Sequence, residues 1–155
     1  MSVAVDKPVP EFEAAATGEQ RLSLSDFKGR KNLVLYFYPK DNTPGCTTEG
    51  QDFRDHYPDF TAADTEIIGV SRDGLQAHEN FRSKHGFPFH LISDKDETLC
   101  ELFDVIKMKM MYGKERRGIE RSTFLIDKEG LLRQEWRGVK VKEHVPEVLE
   151  AARNL

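Results

Sequence analysis

Residues 32–49 read NLVLYFYPKDNTPGCTTE. The first seven, Asn32 to Tyr38, are a continuous apolar and aromatic run, too short for a good helix and stopped by Pro39. A strand buried on both faces accounts for it best. After a loop over 39–45, the pattern predicts a helix from about Cys46 to about Tyr57. Phe53, Tyr57 and Phe60, at spacings of four and three, mark its buried side. A buried strand, a tight Pro-Gly turn and a helix thus meet at a cysteine.

The rest of the chain repeats the alternation. Before this stretch, PVPEFEAAA reads as extended edge-like chain, because its two prolines forbid a central strand. QRLSLSDFKG reads as a short strand entering one helical turn, capped by Ser25 and ended by Gly29. TEIIGVS (65–71) is a second buried strand; Asp73 then caps a helix through Leu75, Phe81 and His85, closed by Gly86. FHLIS (89–93) is a third strand, and Asp94 with Glu97 resembles a capping box for the helix DETLCELF. KMKMMYGKERRG (107–118) has no clean period and reads as a loop or irregular helix. IERSTFLID and LLRQEWRG flank DKEG, a hairpin signal, and EHVPEVLEAARNL is a last helix with Val145, Val148, Leu149 and Ala152 on one face. Strands alternating with helices imply parallel pairing, and the hairpin adds antiparallel strands. The expected architecture is a thioredoxin-like α/β fold, a mixed sheet flanked by helices on both faces.

Bulk properties narrow the function. The 155 residues suit one domain spanning 1–155, and 38% hydrophobic with 32% charged residues is a globular composition. The net charge is −4 with scattered basic residues, which argues against a nucleic-acid surface. No apolar run approaches a membrane span, and the N-terminus lacks the basic-then-apolar pattern of a secretory signal, so a cytoplasmic protein is expected. Two cysteines are too few for a disulfide scaffold or a cysteine-rich zinc site, and the five histidines show no metal spacing. No metal is therefore expected. Asp94, Asp96 and Glu97 are better explained by helix capping than by calcium.

An ordinary cysteine has a pKa of about 8.5 and is mostly an unreactive thiol at neutral pH. A helix N-terminus changes that, because unpaired N–H groups and the positive end of the dipole favour the thiolate. Cys46 is predicted in such a place, at the C-terminal end of a buried strand, where sites collect in α/β sheets. Thr43, three residues earlier, offers a hydroxyl across the mouth of the pocket. Pro39 and Pro44 stiffen the loop without adding donors. A cysteine hydrolase needs a histidine partner, and none lies in this stretch. A peroxide needs less: the thiolate attacks the O–O bond, and fixed donors and positive charge assist. The plainer alternative is a buried, inert cysteine at a helix start. A Cys-x-x-Cys disulfide reductase is disfavoured because that motif is absent.

Pro39-x-x-x-Thr43-x-x-Cys46 resembles the active-site signature of the peroxiredoxins. YFYPKDNTPGCTTE is similar to the peroxiredoxin Q, or bacterioferritin comigratory protein, branch, and SDFKG, LISDKDETLCELFDV and YGKERRGIERSTFLID extend the likeness along nearly the whole chain. The resemblance implies a thiol-dependent peroxidase acting on hydrogen peroxide and organic hydroperoxides, with thioredoxin, glutaredoxin or glutathione as reductant. It implies no cofactor, since the sulfur carries the redox change, and a monomer or weak homodimer. By the same resemblance Cys46 would become a sulfenic acid, Thr43 would bond the peroxide, Pro39 would pack over the sulfur, and Arg121 would hold thiolate and peroxide. Glu49 would orient Arg121.

The chain departs from the family at the resolving cysteine. The positions used by relatives hold Gln51 and the stretch Phe81, Arg82, Ser83, Lys84. Only Cys100 remains, and LCELF puts it near the apolar side of a helix. Cys46 acting alone with an outside thiol is the expected cycle, with Cys100 as a resolving thiol after local unfolding the other route. A peroxide-sensing protein that relays oxidation to a partner is the alternative function. The cluster Met108, Met110, Met111 reads either as a partner contact or, more simply, as packing under a loop. Lys114, Arg116 and Arg117 read as a solvated turn.

Overall fold

The run Asn32–Phe37 forms β3, and every one of its residues is buried. In the computed structural model, which describes residues 3–155, it lies near the middle of a seven-stranded sheet. On one side it pairs in parallel with β4 (Thr65–Ser71), which pairs in parallel with β5 (His90–Ser93). On its other side it pairs antiparallel with β8 (Ser122–Ile126), and β9 (Leu132–Arg137) closes that edge. An N-terminal hairpin, β1 (Glu13–Ala16) and β2 (Gln20–Ser23), joins the other edge through Ala16 and Ile92. The order is β2-β1-β5-β4-β3-β8-β9.

Side-chain alternation along β3 divides the core in two. Val34, Tyr36 and Tyr38 face one layer with Phe53 and Phe60 of α1 (Pro44–Ala62), Phe81 of α2 (Leu75–His85) and Val145, Val148 and Leu149 of α4 (His144–Arg153). Leu33, Leu35 and Phe37 face the other, with Leu99 and Cys100 of α3 (Thr98–Leu102), Phe103 and the N-terminal Val3, Val9 and Phe12. Helices thus cover both faces, as the alternation of elements implies. Among the described residues no helix is long and apolar enough to cross a membrane.

Several local expectations are corrected. α1 begins at Pro44 and runs past Pro58 to Ala62, because Phe60 continues the buried stripe beyond the proline. The 3₁₀ turn Leu24–Asp26 is capped by Ser23 rather than Ser25, with the Ser23 N–H donating to Asp26. Asp73 does not cap α2, whose N-cap is Gly74; its carboxylate serves the backbone of Asp41 instead. Asp94 does cap α3, accepting from the N–H groups of Leu99 and Cys100, but Glu97 turns to Arg72 and Arg117. The stretch 107–118 is neither loop nor helix. It is a separate hairpin of β6 (Ile106–Met111) and β7 (Lys114–Ile119), joined at Tyr112 and Gly113, which both have positive φ as a type I′ turn requires. Met108 and Met110 are exposed on it, so they do not pack under a loop. The side chain of Met111 lies outside the described residues, as do residues 1 and 2. Lys114, Arg116 and Arg117 lie on β7, and Arg117 is paired with Glu97.

Candidate active site

The site forms where β3 ends. Tyr38 still donates to the Val70 carbonyl at 3.0 Å, and the chain then leaves the sheet through Pro39. Asn42 takes a left-handed conformation (φ 63°) that turns the chain into α1. Thr43 is the N-cap and Pro44 occupies the first turn, where its missing N–H costs nothing. The Thr47 N–H bonds the Thr43 carbonyl at 2.9 Å, so the N–H groups of Gly45 and Cys46 precede the helical ladder. Cys46 therefore sits in the first turn, two residues inside the helix rather than at its opening residue. Its sulfur is nearly enclosed, with the residue 2% exposed.

The antiparallel pairing of β8 with β3 brings in the arginine. Phe37 is opposite Ser122, so the residue before β8 arrives beside the loop that follows β3. That residue is Arg121. One guanidinium nitrogen donates to Glu49 Oε1 at 2.7 Å and another to Cys46 Sγ at 3.4 Å. Glu49 lies one turn after Cys46 on α1 and is fully buried. A Cβ on Gly45 would stand 3.1 Å from the Arg121 guanidinium, so the glycine leaves room for the cation against the helix start.

Two acids share this one cation. Burial raises Glu49 from the ordinary 4.5 to about 7, with Arg121 working in the opposite direction. Burial also acts against the Arg121 charge, but Glu49 and the sulfur outweigh it, and its pKa lies above the usual arginine value. The guanidinium is thus permanently charged and fixed at both ends. A hydrogen-bonded cation on the sulfur favours the thiolate over the thiol.

Thr43 and Pro39, both half-buried, flank the same turn. The Thr43 hydroxyl donates to the Lys40 carbonyl at 2.8 Å, which leaves its oxygen lone pairs as acceptors. Cys100 is not part of this group. It is buried in the core layer on the far side of the sheet from Cys46, and its thiol is pushed up by burial and by Asp94. Gln51 and the Phe81–Lys84 stretch bring no thiol; Phe81 is buried in the aromatic layer.

Sequence reasoning missed two features near the site. Lys109 on β6 donates its ammonium to the Ile119 carbonyl; burial lowers its pKa, and Glu120, Arg121 and Cys46 are among the charges around it. The alternation of lysine and methionine before Tyr-Gly was the available signal for that hairpin. His78 and Asp41, buried next to the loop, are the second feature. No spacing rule connects them.

Comparison with known proteins gives the chain its relatives. Residues 5–135 match the model of the AhpC/TSA family. Peroxiredoxin Bcp of Bacillus subtilis (strain 168) is 51% identical over 155 residues, covering 100% of this chain and 98% of that protein. A cysteine-to-serine mutant of Xylella fastidiosa PrxQ superimposes with a TM-score of 0.93 at 42% identity, covering 99% of this chain and 98% of the other. A trapped intermediate/ligand complex of Xanthomonas campestris bacterioferritin comigratory protein, solved for insight into its alkyl peroxide reduction activity, gives a TM-score of 0.87 at 51% identity, covering 92% and 90%. The enclosed cysteine on a helix N-terminus, bonded by the arginine that precedes β8, is thus found in a chain that belongs to the AhpC/TSA family, on its peroxiredoxin Bcp/PrxQ branch of thiol-dependent peroxidases.

Proposed function

We propose that Cys46 is the peroxidatic thiolate of a one-cysteine cycle that reduces hydrogen peroxide and alkyl hydroperoxides. The observation that carries the reading is the bidentate position of Arg121, between Glu49 Oε1 and Cys46 Sγ. The thiolate attacks the terminal oxygen of the hydroperoxide. An S–O bond forms, the O–O bond breaks, and the departing alkoxide or hydroxide takes up a proton to leave as alcohol or water. Arg121 stabilises the negative charge as it moves from sulfur to the leaving oxygen. The Gly45 and Cys46 N–H groups add fixed donors. Thr43 gives its own proton to Lys40, so it meets the substrate as acceptor for the hydroperoxide O–H. Pro39 excludes water on one side. As the sulfur becomes a neutral sulfenic acid, it releases its share of Arg121, and the cation turns fully to Glu49.

The sulfenic acid is then attacked by a thiol from another molecule, forming a mixed disulfide and water. A second thiol regenerates Cys46. Cys100 is a poor candidate for this step, because a disulfide needs Cα atoms within about 7 Å and the sheet lies between the two cysteines. A cytoplasmic location and a monomer or weak dimer fit this reading.

The test is Cys100→Ser. Turnover of hydrogen peroxide with an added thiol reductant is expected to match the parent protein. Loss of turnover with sulfenic acid still formed at Cys46 would overturn the one-cysteine cycle. A protein that forms the sulfenic acid but consumes no peroxide beyond that first equivalent with thioredoxin, glutaredoxin or glutathione would be a relay, not a peroxidase.

A further inference from the structure

His78 lies on α2 and is fully buried, far from any solvent that could serve its ring. Its Nδ1 is 2.7 Å from Asp41 Oδ2, and its Nε2 is 2.9 Å from the Ile92 carbonyl. Both ring nitrogens therefore face acceptors. The Tyr38 hydroxyl lies 3.5 Å from Nδ1, but it donates its own proton to Asp41 Oδ1 at 2.7 Å. Burial pushes that phenol well above its ordinary range, so it keeps the proton. The Asp41 N–H in turn donates to Asp73 Oδ2 at 2.9 Å, and Ser71 Oγ donates to the same oxygen at 2.6 Å. Asp41, Asp73 and His78 are near enough to suggest a cation site. The contacts argue otherwise, since each group is already engaged within the protein.

Asp41 belongs to the loop that carries Pro39 and Thr43. It is held by its side chain from α2 and by its backbone from Asp73 after β4. Lys40, the acceptor of the Thr43 hydroxyl, is its direct neighbour. The left-handed Asn42 lies between Asp41 and Thr43 and turns the chain there.

We infer that His78 is a positioning residue for the peroxidatic loop: hydrogen-bonded at one ring nitrogen to Asp41 and at the other to the Ile92 carbonyl, it fixes the loop backbone and so the Thr43 oxygen that meets the substrate. The ring makes no contact with the reacting atoms. Its effect passes through Asp41 and the loop, while Arg121 and Glu49 hold the sulfur independently. Loss of the His78–Asp41 contact should slow the attack on peroxide while the Arg121 contact with the sulfur stays in place. This inference rests on Cys46 being the peroxidatic thiol and fails separately from it.

The experiment compares His78→Gln and the near-isosteric Asp41→Asn by rapid-mixing measurement of Cys46 oxidation by hydrogen peroxide across pH. Both are expected to lower the second-order rate about tenfold, with the midpoint of the pH profile unmoved. Asp41→Asn and Thr43→Val combined should cost less than the two effects multiplied, because both act on one hydroxyl. Parent-like rates in Asp41→Asn, or a simple product in the double variant, would overturn the inference. Should His78→Gln fail to fold, Asp41→Asn carries the test. If the parent Cys46 itself does not oxidise, the proposed function falls instead.

Discussion

Glu49→Gln should remove a pH dependence from the stability of the reduced protein. The Glu49 carboxyl titrates near 7 in the folded chain, against an ordinary 4.5, because burial opposes its charge more than Arg121 supports it. Between those values the folded state holds a proton that the unfolded state has lost. Stability therefore falls as pH rises through this window, since the slope follows the difference in bound protons. At 1.36 kcal/mol per pH unit, the full gap corresponds to about 3 kcal/mol, of which about 2.5 kcal/mol falls between pH 5 and 8. The assay is urea unfolding of parent and variant at several pH values, kept reduced throughout. Every other titrating group is present in both, so the difference curve reports Glu49 together with the groups coupled to it through Arg121. The parent should lose about 2.5 kcal/mol more than the variant across that interval. A flat difference curve, or one rising with pH, would refute the claim that burial outweighs the arginine.

Arg121→Lys keeps the charge but not the fork, so one ammonium cannot serve Glu49 and the sulfur together. Oxidation of Cys46 by peroxide, followed by rapid mixing, should slow by about 10²-fold, on the scale of losing one charge-stabilising donor. Gly50→Ala would place a Cβ 2.4 Å from the buried Phe87 ring. Overpacking of this kind costs about 1–3 kcal/mol, to be read as a lowered urea midpoint.

The sheet was legible because its strands are short, apolar and bounded. The run Asn32–Tyr38 between Lys31 and Pro39 allows little else, and the left-handed Gly86 ends α2 where its type suggests. The cysteine was legible for the same local reason, since strand, turn and helix start adjoin in sequence. What the sequence hid was mostly decided by partners far along the chain. Asp73 is a good capping residue, yet the backbone of Asp41 claims it. Glu97 suits a capping box, yet two arginines neutralise it and hold its carboxyl down to about 2. Pro58 is a sound stop signal, but the buried stripe continues to Phe60 and the helix continues with it. Between Ile106 and Ile119 the β6–β7 hairpin has no β-branched residue, and it turns at Tyr-Gly rather than Asn-Gly, so its period-2 pattern was faint. Arg121 gained meaning only through the resemblance. Its contact with Cys46 depends on β8 pairing with β3, which local pattern does not specify.

The central claim is that one thiolate, Cys46, is oxidised and is not resolved within the chain. One equivalent of hydrogen peroxide, added to the reduced protein with a sulfenic-acid trap and followed by intact and peptide mass spectrometry, tests it directly. The account predicts the trapped adduct on Cys46, with Cys100 still free and buried behind the sheet. A Cys46–Cys100 disulfide, or an unmodified Cys46, would contradict it.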